Sequence, residues 1–331
     1  MNVIAPERRT RSPRDAWEVV RAWLEEHGQV AIATVVSTWG SAPVPVGGQL
    51  VVTSGDRFEG SVSGGCVEVD VLVEAADVMA SGKPKLLEFG VSEETAWRAG
   101  LPCGGKIKVL VEPLTRADIG MIDEILDARR MRRTVVVTTR IADGERKLHH
   151  AEGELSPDVS FGLIDAPDGE HFVQLLEPPL RIIVAGATHI GQVFAELARQ
   201  VGYEVTVVDP RSVFATEERF GAAAAMAEWP EASFDKLGLD ARTAVVALTH
   251  ASHIDDEALT LALRSPCLYI GALGARGTHA KRLERLAAAG FTAEELARIH
   301  APVGLAIGAK GPAEIAVSIL AEIIKVARGA G

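Results

Sequence analysis

The stretch from Leu180 onward constrains the fold most, because it repeats strand, tight turn, helix, strand. Arg181 to Ala185 is apolar and strand-like, His189 to Val201 has helical spacing, and Glu204 to Val208 is again a β-branched run. Further units of the same kind follow. Thr243 to Leu248 precedes a helix after Ser252, Cys267 to Gly271 precedes a helix through Lys281 to Ala289, and a final helix runs from Pro312 to Arg328. Strands that are apolar throughout and alternate with helices build a doubly wound parallel sheet, because both faces of such a sheet are covered.

The N-terminal half reads differently. A helix over Asp15 to His27 leads into a strand at Val30 to Val36. Short strands follow at Gln49 to Thr53, Phe58 to Val62, Lys85 to Phe89 and Lys106 to Val111, with an apolar helix from Val67 to Met79. A helix over Arg116 to Arg130, a strand at Thr134 to Thr139 and strands near Phe161 and Phe172 lead to Glu177-Pro178-Pro179. Those prolines mark a joint, so the 331 residues divide into a mixed α/β domain over residues 1–178 and a doubly wound parallel-sheet domain over residues 179–331.

Composition narrows the function classes. With 34 basic and 45 acidic residues the formal charge is −11, the wrong sign for non-specific binding of nucleic acid. Apolar runs are broken well before the ~18 residues of a membrane span, and no leader follows the basic N-terminus, so the expected address is cytoplasmic. Three cysteines form no disulfide framework, yet Cys66 and Cys103 both sit beside paired glycines. Trp17, Trp23 and Trp97 read as core or surface aromatics rather than a stacking platform.

Five stretches carry candidate chemistry. In Gly60-Ser-Val-Ser-Gly-Gly-Cys-Val-Glu68, paired glycines run into a helix. Free N–H groups there would favour an anion, Gly64 and Gly65 would admit a ligand close to the backbone, and Cys66 would gain thiolate character. A glycine turn with Cys66 as a small buried hydrophobe explains the same letters. In Gly100-Leu-Pro-Cys-Gly-Gly105 the order is mirrored, so Cys103, Gly104 and Gly105 would form a paired thiol site with Cys66 if the loops meet.

The third stretch, Val184-Ala-Gly-Ala-Thr-His-Ile-Gly191, approaches the GxGxxG turn of a Rossmann fold. Gly186 fits its tight turn and Gly191 its helix packing, while Asp209, about 20 residues on, is placed to accept from a ribose hydroxyl. Thr188 stands where the second glycine belongs, which favours another phosphorylated ligand over an ordinary dinucleotide; His189 is its neighbour on the turn. Arg211 would neutralise a phosphate or is simply a loop arginine.

The fourth stretch, Thr249-His-Ala-Ser-His-Ile-Asp-Asp256, places His250 at the carboxyl edge of the sheet. Its His250, His253 and Asp256 could hold a metal, but Ser252 or Asp255 capping a helix accounts for the pattern, and no metal is assigned. The fifth, Tyr269 to Arg276, ends another strand with Gly271 and Gly274, and Arg276 either addresses an anion or belongs to a simple strand-to-helix turn.

Taken in order, these stretches resemble the XdhC/CoxI family, the accessory proteins of molybdenum hydroxylases such as xanthine dehydrogenase. The resemblance also rests on Gly40-Ser-Ala-Pro43, Val46-Gly47, Pro302-Val-Gly-Leu305 and Pro312 to Ile319, and it extends from about Asp15 to Arg328. Ala275 departs from the serine expected after Leu-Gly in many relatives.

The resemblance implies a chaperone that binds molybdenum cofactor (molybdopterin), protects it while a cysteine desulfurase exchanges an oxo ligand for sulfido, and inserts it into the hydroxylase. Cys66 and Cys103 would then lie near the metal or its sulfur. Gly64, Gly65, Gly104 and Gly105 would cradle the cofactor, and Gly186, Thr188, His189, Gly191, Asp209, His250, Gly271 and Gly274 would hold a phosphate or nucleotide. A homodimer is expected, since shielding a cofactor benefits from a buried interface. Two other readings stay open: an oxidoreductase binding NAD(P) or another nucleotide in the Rossmann domain, and a scaffold whose cysteines are structural.

Overall fold

The computed structural model describes residues 15–55, 57–90, 105–150, 161–221 and 225–329. They fall into two compact units, residues 14–178 and residues 179–331.

In the N-terminal unit, helix α1 (Ala16–His27) is capped by the Asp15 carboxylate, which accepts from the Trp17 N–H, and it ends at Gly28, whose N–H returns to the Leu24 carbonyl. Strand β1 (Gln29–Trp39) pairs antiparallel with β2 (Gln49–Thr53) and β5 (Lys106–Thr115). Strands β3 (Phe58–Gly60) and β4 (Lys85–Gly90) complete a sheet in the order β3-β2-β1-β5-β4. The middle of β1, apolar except for Thr34, is buried because both of its faces are covered. Val30 and Ile32 pack with Trp17, Trp23 and Leu24 of α1 and with Ile122 and Ile125 of α3 (Ile119–Arg130), which follows a single 3-10 turn at Arg116–Asp118. Ala31, Ala33 and Val35 face the opposite way, onto Val71, Ala75 and Val78 of α2 (Glu68–Ser81).

A second antiparallel sheet is formed by β6 (Val135–Arg140), β7 (Arg146–His150), β8 (Gly162–Ala166) and β9 (Gly169–Leu176), in the order β7-β6-β9-β8. The strand expected from Phe58 to Val62 stops at Gly60. The chain must leave the sheet there, because residues 61–67 fold back on Glu68 as described below.

The C-terminal unit is the expected doubly wound sheet. Its strands are β10 (Arg181–Ala185), β11 (Glu204–Val208), β12 (Ala225–Met226), β13 (Thr243–Ala247), β14 (Tyr269–Ala272) and β15 (Ile299–His300), all parallel. Their order is β12-β11-β10-β13-β14-β15, so the strand order reverses between β10 and β13. Ile182 and Val184 face a layer made by α4 (His189–Gln200) and the helix later in the chain that contributes Ala316, Ile319 and Ile323. Ile183 and Ala185 face the opposite layer, built from α5 (Pro230–Leu237), α6 (Ser252–Leu263) and α7 (Arg276–Ala288). The final helix, α8, spans Pro312–Ala327. Helix α7 begins five residues before the expected Lys281, because Arg276 to Ala280 continue its turns despite the glycine among them. Among the described residues no helix is long and apolar enough to cross a membrane.

Candidate functional site

The N-terminal candidate is organised by a residue to which sequence reasoning gave no role. The Glu68 carboxylate, at the first position of α2 and only 8% exposed, is the centre around which residues 61–67 wrap. Its Oε1 accepts from the Ser61 hydroxyl at 2.6 Å and from the N–H groups of Val62 at 3.2 Å and Ser63 at 2.9 Å. Its Oε2 accepts from the Ser63 hydroxyl and from the N–H groups of Gly65 at 2.9 Å and Val67 at 3.2 Å. Ser61 Oγ accepts from the Gly64 N–H at 2.8 Å, and Ser63 Oγ from the N–H groups of Cys66 and Val67, each at 2.9 Å.

Every backbone N–H from Val62 to Val67 is thus bonded to one of three side chains. Burial works against the charge on Glu68, but the Ser61 and Ser63 hydroxyls and the surrounding N–H groups outweigh it and hold the carboxyl at about 2. The expectation of free N–H groups awaiting an external anion at this turn is therefore corrected: the anion is internal. The sequence signal was present in Ser-x-Ser followed by an acidic residue in the first turn of a helix.

Outside that hub, Gly64 and Gly65 are exposed, with positive φ of 77° and 110°. Cys66 is a free, half-buried thiol that packs against the core beneath α2. Ser63 and Val67 line one pocket together with Ser41, Ala42 and Pro43 of the loop after β1, Phe89 of β4, and Gly105 and Ile107 at the start of β5. A Cβ on Gly105 would stand 2.4 Å from the Ser41 carbonyl oxygen, so only glycine lets these two backbones meet. The structure therefore brings together parts of three glycine-rich stretches that are far apart in sequence. Cys103 and Gly104 lie outside the described residues.

In the C-terminal unit the candidate residues gather where the strand order reverses. Gly186 follows β10 with φ 128°, and a Cβ there would lie 2.9 Å from the Leu248 carbonyl carbon and the Thr249 nitrogen. The close approach brings the turns after β10 and β13 into contact at the carboxyl edge, where open α/β sheets bind ligands. Gly191 likewise lies against the Gly186 carbonyl oxygen, 2.5 Å from where its Cβ would be. Thr188 caps α4: its Oγ1 accepts from the Gly191 N–H at 3.2 Å. That bond is a reason for threonine where a dinucleotide turn has its second glycine. His189, next along, is exposed.

Asp209 is fully buried and its carboxylate is committed internally. Oδ1 accepts from the Arg211 N–H at 3.0 Å and Nε at 2.8 Å, and Oδ2 from Arg211 Nη2 at 2.7 Å and the Ala187 N–H at 2.9 Å. Burial opposes its ionisation, and Arg211 and these N–H groups overcome that, so its pKa lies below the ordinary value. A ribose hydroxyl would have to displace Arg211, whose guanidinium also lies over the Phe214 ring. The role expected of Asp209 gives way to bracing the turn at Ala187.

His250 is exposed with φ 62°, a conformation uncommon outside glycine. The turn that holds it is closed by buried Asp255, whose Oδ1 accepts from the Thr249 N–H at 3.1 Å and hydroxyl at 2.6 Å. Burial pushes the Asp255 pKa up, and Arg282 Nη2 lies 3.6 Å from its Oδ2 while donating to the Leu273 carbonyl at 2.9 Å. Asp255 and Arg282, neither of them among the expected site residues, thus tie the turns after β13 and β14 together.

The capping reading of this stretch is corrected, and its candidate ligands lie apart. Asp256 pairs with Arg285 at 2.5 Å, and the His253 ring lies 5.9 Å from that of Trp229. Among the described residues no three His, Cys, Asp or Glu side chains converge as metal ligands. Helix α6 has no side-chain cap at Ala251, its N-cap. Gly271 is buried in β14, Gly274 follows it with φ 137°, and Arg276 is exposed at the start of α7.

Comparison with known proteins agrees with both halves of the chain. Residues 182–323 match the XdhC Rossmann domain, and residues 23–90 match the XdhC and CoxI family. The chain is 30% identical over 308 residues to the molybdenum cofactor insertion chaperone PaoD of Escherichia coli (strain K12), covering 93% of this chain and 86% of that protein. It is 28% identical over 320 residues to a probable xanthine dehydrogenase subunit of Bacillus subtilis (strain 168), covering 92% of this chain and 95% of that protein. A crystal structure from Bacillus halodurans, described as a xanthine dehydrogenase, shares the fold with a TM-score of 0.78 at 24% identity, covering 96% of this chain and 97% of that one. By sequence, this chain belongs to the XdhC and CoxI family.

Proposed function

We propose that this protein is a carrier of molybdenum cofactor, which it binds as cargo, shields, and passes to a molybdenum hydroxylase of the xanthine dehydrogenase type. The observation that carries this reading is the pocket where the Ser41–Pro43 loop, the Ser63–Val67 turn and the start of β5 meet, with Cys66 immediately before one of its walls. Its chemistry suits such a cargo. Ala42, Pro43, Val67, Phe89 and Ile107 give this small notch an apolar lining against which a cargo can rest, and the thiol beside it is a soft ligand of the kind a molybdenum–sulfur centre tolerates. The similarity to a molybdenum cofactor insertion chaperone supports the same reading.

The chain's own residues then have distinct tasks. The Glu68 hub keeps the turn rigid, Cys66 meets the metal or its sulfur with Cys103 as a proposed second thiol, Gly64 and Gly65 keep the approach free of side chains, and Gly105 lets the start of β5 close on the Ser41 backbone. In the C-terminal unit, Gly186, Thr188, His189, His250 and Gly274 form an edge for a phosphate or nucleotide moiety, with Gly191 and Gly271 packed behind it and Asp209 bracing it through Ala187. Docked on the protein, the cargo would be covered on one side while a cysteine desulfurase exchanges its oxo ligand for sulfido. None of these tasks requires turnover by the carrier itself. The commitment of Asp209 to Arg211 weighs against the oxidoreductase reading, which needs that carboxylate for a ribose.

The test is transfer. Protein loaded anaerobically with molybdenum cofactor should activate a cofactor-free hydroxylase of the xanthine dehydrogenase type, and do so better than the same amount of free cofactor. Equal activation by free cofactor would remove the carrier role.

A further inference from the structure

We propose that Glu68 is the positioning residue for Cys66: its carboxylate acts as a built-in anion that locks the turn and fixes where the thiol stands. The proposal rests on the carrier reading only in calling Cys66 the cargo-facing group. The geometric part stands by itself.

A turn with two consecutive glycines of positive φ has little conformational preference of its own, and an isolated Gly64-Gly65 pair would let Cys66 wander. Here the wandering is removed by one acceptor group. Glu68 takes six hydrogen bonds: two hydroxyls and four N–H groups. The Cys66 N–H reaches it through one relay, donating to Ser63 Oγ, whose own proton goes to Glu68 Oε2. Among the described residues the donors are all neutral, so the charge is held by N–H and O–H groups and by the positive end of α2.

This arrangement makes a specific demand on chemistry. All three groups facing Oε2 are donors, so an amide nitrogen placed there would meet them donor to donor. The isosteric Glu68→Gln keeps the volume and loses the function, whereas a free carboxylate supplied to Glu68→Ala can restore it. A residue that merely filled space would behave in the opposite way.

The experiment measures alkylation of Cys66 by iodoacetamide in the full-length protein, followed at that residue by peptide mass spectrometry, alongside molybdenum cofactor affinity. Glu68→Gln and Glu68→Ala should both raise the alkylation rate, on the order of tenfold, as the turn opens more often. Formate should bring Glu68→Ala back to within about threefold of wild type while leaving Glu68→Gln unchanged. Ser61→Ala, which removes one donor and is the gentler variant should the Glu68 variants fail to fold, should raise the rate by about threefold.

Cofactor affinity should fall in the same order as alkylation rises. Wild-type alkylation rates in Ser61→Ala and the Glu68 variants would overturn the proposal, as would protection retained by Glu68→Gln but lost in Glu68→Ala without formate rescue. Faster alkylation with cofactor affinity unchanged would overturn the link to the cargo. A wild-type protein that binds no cofactor would overturn the carrier reading instead, and the alkylation series would still decide the role of Glu68.

Discussion

The Ser63 hydroxyl donates its proton to Glu68 and accepts the N–H groups of Cys66 and Val67, each at 2.9 Å, so a single oxygen joins a buried carboxylate to the backbone of the cysteine. Ser63→Ala removes that oxygen, leaving the Cys66 N–H unpartnered and Glu68 short of a donor. The expected cost is about 1–3 kcal/mol of stability, read from denaturant unfolding of the wild type and the variant.

The ionisation of Glu68 sets a pH window. Its folded-state pKa of about 2 lies below the ordinary 4.5, so its contribution is complete above pH 4.5 and is lost as pH falls toward 2. A depression of that size corresponds to roughly 3 kcal/mol. The stability gap between wild type and Glu68→Gln should therefore be flat from pH 5 to pH 7 and should narrow on acidification. A gap that stays constant down to pH about 2.5 would show that the charge is not what the turn recognises.

Asp209 should behave as a structural brace. Asp209→Ala strands the Ala187 N–H and releases Arg211, and it should destabilise the protein by about 2–4 kcal/mol. A ribose-binding carboxylate would instead lower NAD or NADP affinity with little loss of stability. Thermal unfolding and nicotinamide titration of the same variant separate the two.

Gly105→Ala places a methyl group 2.4 Å from the Ser41 carbonyl oxygen. The two backbones must then part, at a cost of about 1–3 kcal/mol, and the pocket they share opens. Loss of thermal stability together with weakened cofactor binding is expected. A variant with wild-type values of both would mean that the contact between the two loops is dispensable.

The sequence showed much of this architecture and less of the site. Ile182 to Ala185 and Ala244 to Leu248 are apolar throughout because both faces of a parallel sheet are buried, and that pattern is legible without a structure. The two-residue strands Ala225–Met226 and Ile299–His300 are too short for a periodic signal, and Arg146–His150 is too polar. Gly186 and Gly191 were readable because their spacing reflects backbone crowding. Asp209 had the right position and a different partner, since Arg211 two residues on was as good a reading for a phosphate as for a carboxylate. Glu68 carried no role because most of its partners are N–H groups of its own turn, and the two serines before it are the only letters that record the hub. His250, His253 and Asp256 looked like a ligand set as letters, but the three side chains find separate surroundings.

Carriage of molybdenum cofactor with Cys66 at the point of contact is tested most directly by titrating anaerobically isolated cofactor into wild-type protein, Cys66→Ser and Cys103→Ser, with NAD and NADP in parallel. The account predicts saturable cofactor binding that weakens about tenfold or more, at least 1.4 kcal/mol, in Cys66→Ser, with little affinity for either nicotinamide nucleotide. Nicotinamide binding with none for the cofactor, or cofactor binding that Cys66→Ser leaves untouched, would contradict it.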